Sequence, residues 1–390
     1  MKKWITGLVL VLICLSLFAC AESPAPPATT TPFNTTSPTQ PTPPPENPDP
    51  EPQVRILNTD PTLQRAWEYL AEEYTRTTGT QVLVVSSPED ATLRSIASPE
   101  ELPENCTDLS GSQACTQLMS QDLSIIDEQG QVLAIANHIE VYGLVFNSTL
   151  LAQTAHTRED ISSFTQLTEV VYAISDNAET LGFSAFARVD PDVHFAIQLA
   201  SLTGDARNLV ELILNNTTCD PMNLEDSTKA EALEDFLEGR AVFFLAGSRE
   251  QEALSAIGSE NMGVLPVYTG HGNEENQTLC VAARSYWCVD ATADSIDVEA
   301  TLSFLDYLTT PRTDGTMPVD DLRQMSPFRQ AAYVSNIPEQ VLRSDVAMGR
   351  VPVICRYVEQ VPNGLTAALI TYAENPSDEN WNEIRRIIEQ

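Results

Sequence analysis

Lysine is almost missing from this chain. Two of its three lysines are Lys2 and Lys3, which leaves Lys229 as the only one in the remaining sequence. Lysine and arginine together number 21 against 55 aspartates and glutamates, a formal net charge of −34. A polyanion of that size repels phosphate backbones and anionic headgroups, which excludes nucleic acid and an anionic lipid surface as partners. Histidine is also scarce. His138, His156, His194 and His271 are scattered and form no H-E-x-x-H zinc pattern. The G-x-S-x-G elbow is absent, and so are both glycine-rich phosphate loops, G-x-x-x-x-G-K and G-x-G-x-x-G. These gaps argue against an elbow-type hydrolase, a nucleotide enzyme and a zinc peptidase. No cofactor is expected.

What is present begins with Met1-Lys2-Lys3 and an apolar run over 4–19, broken only by Thr6, Gly7 and Ser16. That is the charged and apolar layout of a secretory signal. The run falls short of the roughly 20 residues of a membrane span. It closes on Leu17-Phe18-Ala19-Cys20, which resembles the lipobox of bacterial lipoproteins. The resemblance implies that residues 1–19 are a signal peptide and that Cys20 becomes an acylated N-terminus, with palmitate-type chains. The protein would then sit on the extracytoplasmic face of the cell membrane. Each buried methylene adds about 0.8 kcal/mol, so two or more chains anchor stably. Residues 21–52 are dominated by Pro and Thr, with Phe33 the one large apolar residue. Such a segment cannot bury enough surface to order itself. Proline-rich chain extends by about 3.1 Å per residue, so segment 20–52 reads as a stalk reaching up to roughly 100 Å.

Residues 53–390 exceed what one core usually supports, so two lobes are expected. Beyond Cys14 and Cys20, six cysteines remain: Cys106, Cys115, Cys219, Cys280, Cys288 and Cys355. An even count in an exported chain favours disulfides. Among many pairings, spacing favours Cys106–Cys115 and Cys280–Cys288 as local bridges, leaving Cys219 with Cys355. Zinc is disfavoured, because there is no C-x-x-C and no flanking histidine cluster.

The apolar pattern predicts an α/β protein. Residues 54–57 read as a strand. Thr59-Asp60-Pro61 offers a helix cap with proline at the first helical position. Leu63, Trp67, Leu70, Ala71 and Tyr74 then recur at helical spacing up to a stop at Gly79, and 81–85 is the next strand. This β-α-β unit is the signature of a mostly parallel sheet with helices packed on it. A hairpin is expected over 124–135, turning at Asp127-Glu128-Gln129-Gly130. Further strands are expected at 141–146, 241–245, 262–267 and 286–289. Helices are expected at 192–201, 206–215, 227–238, 298–308, 338–347, 364–372 and 377–388. His138 and Glu140, two apart in a stretch that reads as a strand, share a face. They lack a third ligand at recognisable spacing, so a plain strand surface is favoured over a metal pair. No carboxylate pair singles itself out for glycoside hydrolysis.

Five stretches carry a further likeness. They are Glu140-Val141-Tyr142-Gly143-Leu144-Val145-Phe146-Asn147; Gly239-Arg240-Ala241-Val242-Phe243-Phe244 running to Gly247-Ser248; 262–267; 274–280 with 286–289; and 300–311 (ATLSFLDYLTTP). Asn215-Asn216-Thr217-Thr218 and Met325-Ser326-Pro327-Phe328 add to it. In this order the chain, from about Arg55 to its end, resembles the extracellular solute-binding proteins of ABC importers, carbohydrate type, related to maltose-binding protein. The stretch holding Cys280 and Cys288 resembles a clostridial-type subgroup. The resemblance implies a two-lobed periplasmic-binding-protein type II-like fold whose hinge strands cross between lobes. Lobe 1 would take about 53–141 and 287–325, and lobe 2 about 142–286 and 326–390. It implies a monomeric receptor, not an enzyme, which captures a small solute, a sugar above all, and delivers it to an ABC permease.

Carried over residue by residue, the resemblance puts Glu140 and Tyr142 at the first crossover, facing the cleft. Tyr286 and Trp287 stand near the second, with Trp287 as a stacking face. Asp60 becomes a polar contact after the first strand, unless it only caps its helix. Two departures stand out. Relatives commonly carry Gly-Ser/Thr-Trp where this chain has Gly247-Ser248-Arg249. A guanidinium there can pair with a carboxylate, which raises an acidic sugar or other anion as ligand; the alternative is a surface residue facing solvent. The chain is also short between Val85 and Cys106. Two other functions stay open: a binding-fold lipoprotein without transport that serves as a sensor or accessory surface protein, and an exported glycosidase.

Overall fold

The structure is a computed structural model and describes residues 51–191, 193–201, 206–358 and 360–389. The expected signal, Cys20 and all but the end of the stalk lie outside these residues. Among the described residues no helix is long and apolar enough to cross a membrane.

The first β-α-β unit forms as its sequence dictates. In β1 (Gln53–Leu57), Val54 and Ile56 alternate into the core. Asp60 caps the turn that follows, accepting from the Thr62 amide at 2.8 Å and from its hydroxyl at 2.7 Å. Helix α1 (Gln64–Thr78) buries Trp67, Leu70, Ala71 and Tyr74. Gly79, at φ 84°, ends it in the left-handed region that only glycine enters without strain. β2 (Gln81–Val85) then returns parallel to β1.

The other strands are β3 (Leu93–Ile96), β4 (Ser124–Ile126), β5 (Val132–Asn147), β6 (Ser184–Phe186), β7 (Ala241–Gly247), β8 (Met262–Leu265), β9 (Gln277–Val289) and β10 (Val351–Cys355). They make one mixed sheet in the order β2-β1-β3-β9-β5-β7-β6. Off that path, β10 pairs with β9, while β4 and β8 pair with β5. The expected 124–135 hairpin is present, turning where the Gly130 amide donates to the Asp127 carbonyl. Two expected strands are longer than their apolar pattern. Residues 132–135 and 141–146 of the expected strands are parts of the single strand β5, and 286–289 is only the end of β9.

These two long strands change neighbours along their length. As far as Tyr142, β5 pairs with β4 and β9, and from Tyr142 on it pairs with β7 and β8. β9 lies beside β10 at its start and beside β3 at its end. Side-chain alternation then serves two cores. Ile139, Val141 and Val145 join one core with Trp67, Phe304 and Phe328. Tyr142, Leu144 and Phe146 join another with Val171, Phe186, Phe243 and Trp381. Two glycines permit the close approach of neighbouring strands. A Cβ on Gly263 would meet the Phe146 ring at 2.2 Å, and one on Gly247 would meet the Tyr142 ring at 2.6 Å.

The cysteine pairing expected from spacing does not survive. Cys280 and Cys288 lie in the same extended strand, and eight steps along it separate them by about 26 Å, far beyond disulfide reach. Cys106 does not turn to Cys115; its thiol is within hydrogen-bonding reach of Cys288 instead. Cys115 is directed at the Gln121 side chain. Cys219 lies among Arg188, Asp220 and Asp235, while Cys355 packs in the second core near Tyr142.

Candidate functional site

Between the two cores, the even-numbered faces of β5 and β9 carry a polar stretch. On β5 it consists of His138 and Glu140, on β9 of Arg284. The opposite face carries Ile139 on β5 and Val281 and Ala283 on β9 in the first core, with Asn137 accepting from Ser285 Oγ at 2.6 Å. Register sets Glu140 beside Ala282 and His138 beside Ser285. Three further elements end here at their carboxyl ends. β1 leads to Asp60, β7 to Ser248-Arg249, and β10 to Tyr357. Ligand sites in α/β sheets lie outside the carboxyl ends of strands, where loops diverge.

Glu140 is the centre of this patch and is 1% exposed. Its Oε1 accepts from Arg249 Nε at 2.6 Å and from Arg284 Nη1 at 2.7 Å. Its Oε2 accepts from the Tyr142 hydroxyl. Arg249 also donates to the Tyr357 hydroxyl. Both guanidiniums lie against the Tyr357 ring, at 5.4 Å for Arg249 and 5.9 Å for Arg284. Cation–π contact and the shared carboxylate therefore hold two like charges side by side. Burial pushes the Tyr142 phenol up, and the neighbouring carboxylate pushes it further. Burial and the Arg284 guanidinium lower His138 to about 4 against the pull of Glu140, so the ring is neutral near pH 7. Asp60 is exposed; its Thr62 hydrogen bonds hold its pKa low, and the charges of Arg284 and His138 lower it further.

The turn that delivers Arg249 is itself anchored. Ser248 Oγ accepts from the Val141 amide at 3.3 Å. Glu250 Oε2 accepts from the Gly247 amide at 2.8 Å, and its Oε1 takes His194 Nε2 at 3.0 Å and Lys229 Nζ at 2.6 Å. The one lysine beyond the N-terminus thus neutralises a carboxylate that is 5% exposed. A cavity beside this cluster, lined by Phe186, Val189, His194, Phe195 and Glu250, offers about 20 Å³, room for one water and none for a sugar ring.

Of the residues expected in the cleft, Asp60, Glu140 and Arg249 come together, whereas Tyr142 is a correction: its ring is fully buried in the second core and only its hydroxyl reaches the patch, on Glu140. Asp60 both caps its turn and faces Arg284. Arg249 is engaged by Glu140 rather than lying loose in solvent. Tyr286 is half-buried on the same face of β9, beyond Arg284, opposite Ala136 and Ile96. Trp287 is a correction. It is 1% exposed, stacked on Phe328 at 6.3 Å and edge-on to Trp67 at 6.0 Å, so neither ring face is free for a ligand. Parity explains this, since an odd-numbered residue of β9 points to the first core. Arg284 and Tyr357 escaped sequence reasoning. The signal for Arg284 was its even spacing from Tyr286 on a strand longer than its apolar pattern. Tyr357 carries no local signal, because a distant segment brings it in. Among the described residues no group of three or more His, Cys, Asp or Glu could hold a metal ion.

The fold is that of the extracellular solute-binding proteins. The apo form of RafE from Streptococcus pneumoniae superposes with a TM-score of 0.61 at 11% identity, covering 88% of this chain and 98% of RafE. A family 1 extracellular solute-binding protein from Bifidobacterium longum subsp. infantis gives 0.60 at 12% identity, covering 86% and 99%. The bacterial solute receptor AcbH, described as having an exclusive preference for β-D-galactopyranose, gives 0.62 at 9% identity, covering 86% and 97%. No family model matches the chain, and no curated protein matches it by sequence.

Proposed function

We propose that this protein is an extracytoplasmic receptor, anchored through Cys20, that binds a neutral carbohydrate at the Glu140 patch and hands it to an ABC permease. The observation that carries the reading is the convergence of Asp60, His138, Glu140, Arg249, Arg284 and Tyr357 on the stretch where β5 and β9 pass between the two cores. A sugar needs acceptors and donors for its hydroxyls, and this patch offers Asp60 as acceptor, the spare Arg284 N–H groups as donors and a neutral imidazole. Closure of two lobes about such strands excludes water and strengthens those bonds. The solute-binding fold supports a receptor rather than a glycosidase.

Charge arithmetic favours a neutral ligand over an acidic one. Arg249 and Arg284 are matched by Glu140 and Asp60. Arg249 spends its Nε on Glu140 and an Nη on Tyr357, so it positions the patch rather than recruiting an anion. A thermal-shift panel of neutral mono- and oligosaccharides, uronates and peptides tests both points. A neutral sugar at 100 times its Kd should stabilise by about 2.7 kcal/mol, a rise of several degrees in Tm. Shifts confined to uronates would overturn the neutral reading, and turnover of a glycoside would overturn the receptor reading. Arg249→Trp should weaken binding without reordering the ligands. A change in which sugar binds best would make Arg249 a selector after all.

A further inference from the structure

Cys106 and Cys288 meet on the face of β9 that also carries Arg284 and Tyr286. Cys106 forms an isolated antiparallel bridge with Asp290. Thr107 donates to the Val289 carbonyl at 2.9 Å, and Ala291 donates to the Asn105 carbonyl at 3.2 Å. These backbone bonds pin segment 105–107 along the end of β9. The side chains of residues 288 and 290 share a face, so the bridge turns Cys106 toward Cys288. The pair closes a small apolar cluster of Ile96, Ala134, Leu102, Ile125 and Tyr286. Cys288 is fully buried and Cys106 half-buried. The Cys288 thiol donates to Cys106 and lowers its pKa, helped by the charge of Arg94, while Cys288 itself is raised.

We propose that Cys106 and Cys288 form a disulfide once the chain is exported, through thiol–disulfide exchange with an external disulfide. The Cys106 thiolate attacks one sulfur of that disulfide and expels the other as a thiolate. Cys288 then loses its proton and displaces the external sulfur from Cys106. Two protein thiols give up two electrons and two protons, and the external disulfide becomes two thiols. The exposure gradient fits this order, since the accessible sulfur attacks and the buried one resolves. The bond fastens segment 97–106 to a strand of the cleft. That segment holds Glu100, whose carboxylate stands 4.0 Å from Arg356, next to Tyr357. The disulfide would therefore brace the rim of the proposed ligand site, although its formation does not depend on what binds there.

Peptide mapping tests the pairing on the full chain, purified from its exported form and alkylated without reduction. The expected result is one linked pair of peptides holding Cys106 and Cys288, lighter than the two thiol peptides by two hydrogens. Alkylation of both sulfurs, or a link from Cys106 to Cys115, overturns the proposal. A second measurement follows Tm against reductant. Cross-linking across so long a loop should lower Tm by about 5 °C on reduction, and the Cys106→Ser and Cys288→Ala proteins should lack that drop. A reduction shift that persists undiminished in both variants also overturns it.

Discussion

Replacing Glu140 with alanine is expected to abolish ligand-induced stabilisation and to lower the unfolding free energy by about 2–3 kcal/mol. Removing one partner of a buried ion pair costs about 3–5 kcal/mol when the partner stays buried. Here the partners have some relief: the Arg249 side chain is 31% exposed and that of Arg284 43%, so solvent screens part of the loss. Three donors lose their acceptor at once. The Tyr142 hydroxyl is left with no carboxylate on a fully buried ring, and the guanidiniums are left facing each other without the charge between them. Loss of binding follows from geometry, because Glu140 fixes Arg249 and Arg284 in the patch. Urea unfolding and a thermal-shift titration read the two effects separately. Glu140→Gln retains an acceptor and a similar shape, so it should fall between wild type and alanine in stability while still losing the fixed guanidinium geometry. Wild-type stability in Glu140→Ala would mean that the arginines are held by Tyr357 alone.

The same residues explain what was legible in the sequence. The β1-α1-β2 unit could be read because Val54, Ile56, Trp67, Leu70 and Tyr74 obey one period each and Asp60 and Gly79 mark the ends. β5 and β9 were read only in part. Asn137, His138 and Glu140 interrupt the apolar pattern of the first, and Arg284 and Ser285 that of the second. Three of them, His138, Glu140 and Arg284, make the polar patch, whereas Asn137 and Ser285 bond each other at 2.6 Å. Trp287 was misjudged as well. Neighbouring residues of a strand point to opposite faces, so Trp287 turns away from the face of Tyr286, and only the full extent of β9 sets the parity. The cysteines failed by distance. Eight residues are near in sequence but far apart in an extended chain, whereas Cys106 and Cys288 are brought together by a long-range pairing that no local pattern encodes. Short or edge elements such as β3 and β10 lacked enough residues to establish a period, and Pro352 disguised β10 further.

Acid should weaken this protein through Glu250, and Glu250→Gln should remove that part of the pH dependence. Burial alone would raise the Glu250 pKa. The hydrogen bond and charge of His194, joined by those of Lys229, outweigh it and bring the group from an ordinary 4.5 to about 2. A folded-state pKa below the unfolded value means that the carboxylate stabilises the fold fully above about pH 4.5. That contribution is then lost as pH falls toward about 2. The difference corresponds to about 3 kcal/mol, and the side chain is only 4% exposed, so screening takes little from it. Urea midpoints measured from pH 7 to pH 2 should show wild type ahead of Glu250→Gln by about 3 kcal/mol near neutrality, with the gap closing through the acid range. Titration of other carboxylates, Asp235 with its Arg188 and Arg240 partners among them, affects both proteins alike and cancels in the comparison. A constant gap across the range would show that the carboxylate charge is not what stabilises the cluster. Ligand affinity should fall in parallel at neutral pH. The Gly247 amide that Glu250 holds begins the turn carrying Arg249 to Glu140, so loosening the buried lysine cluster loosens the arginine in the patch.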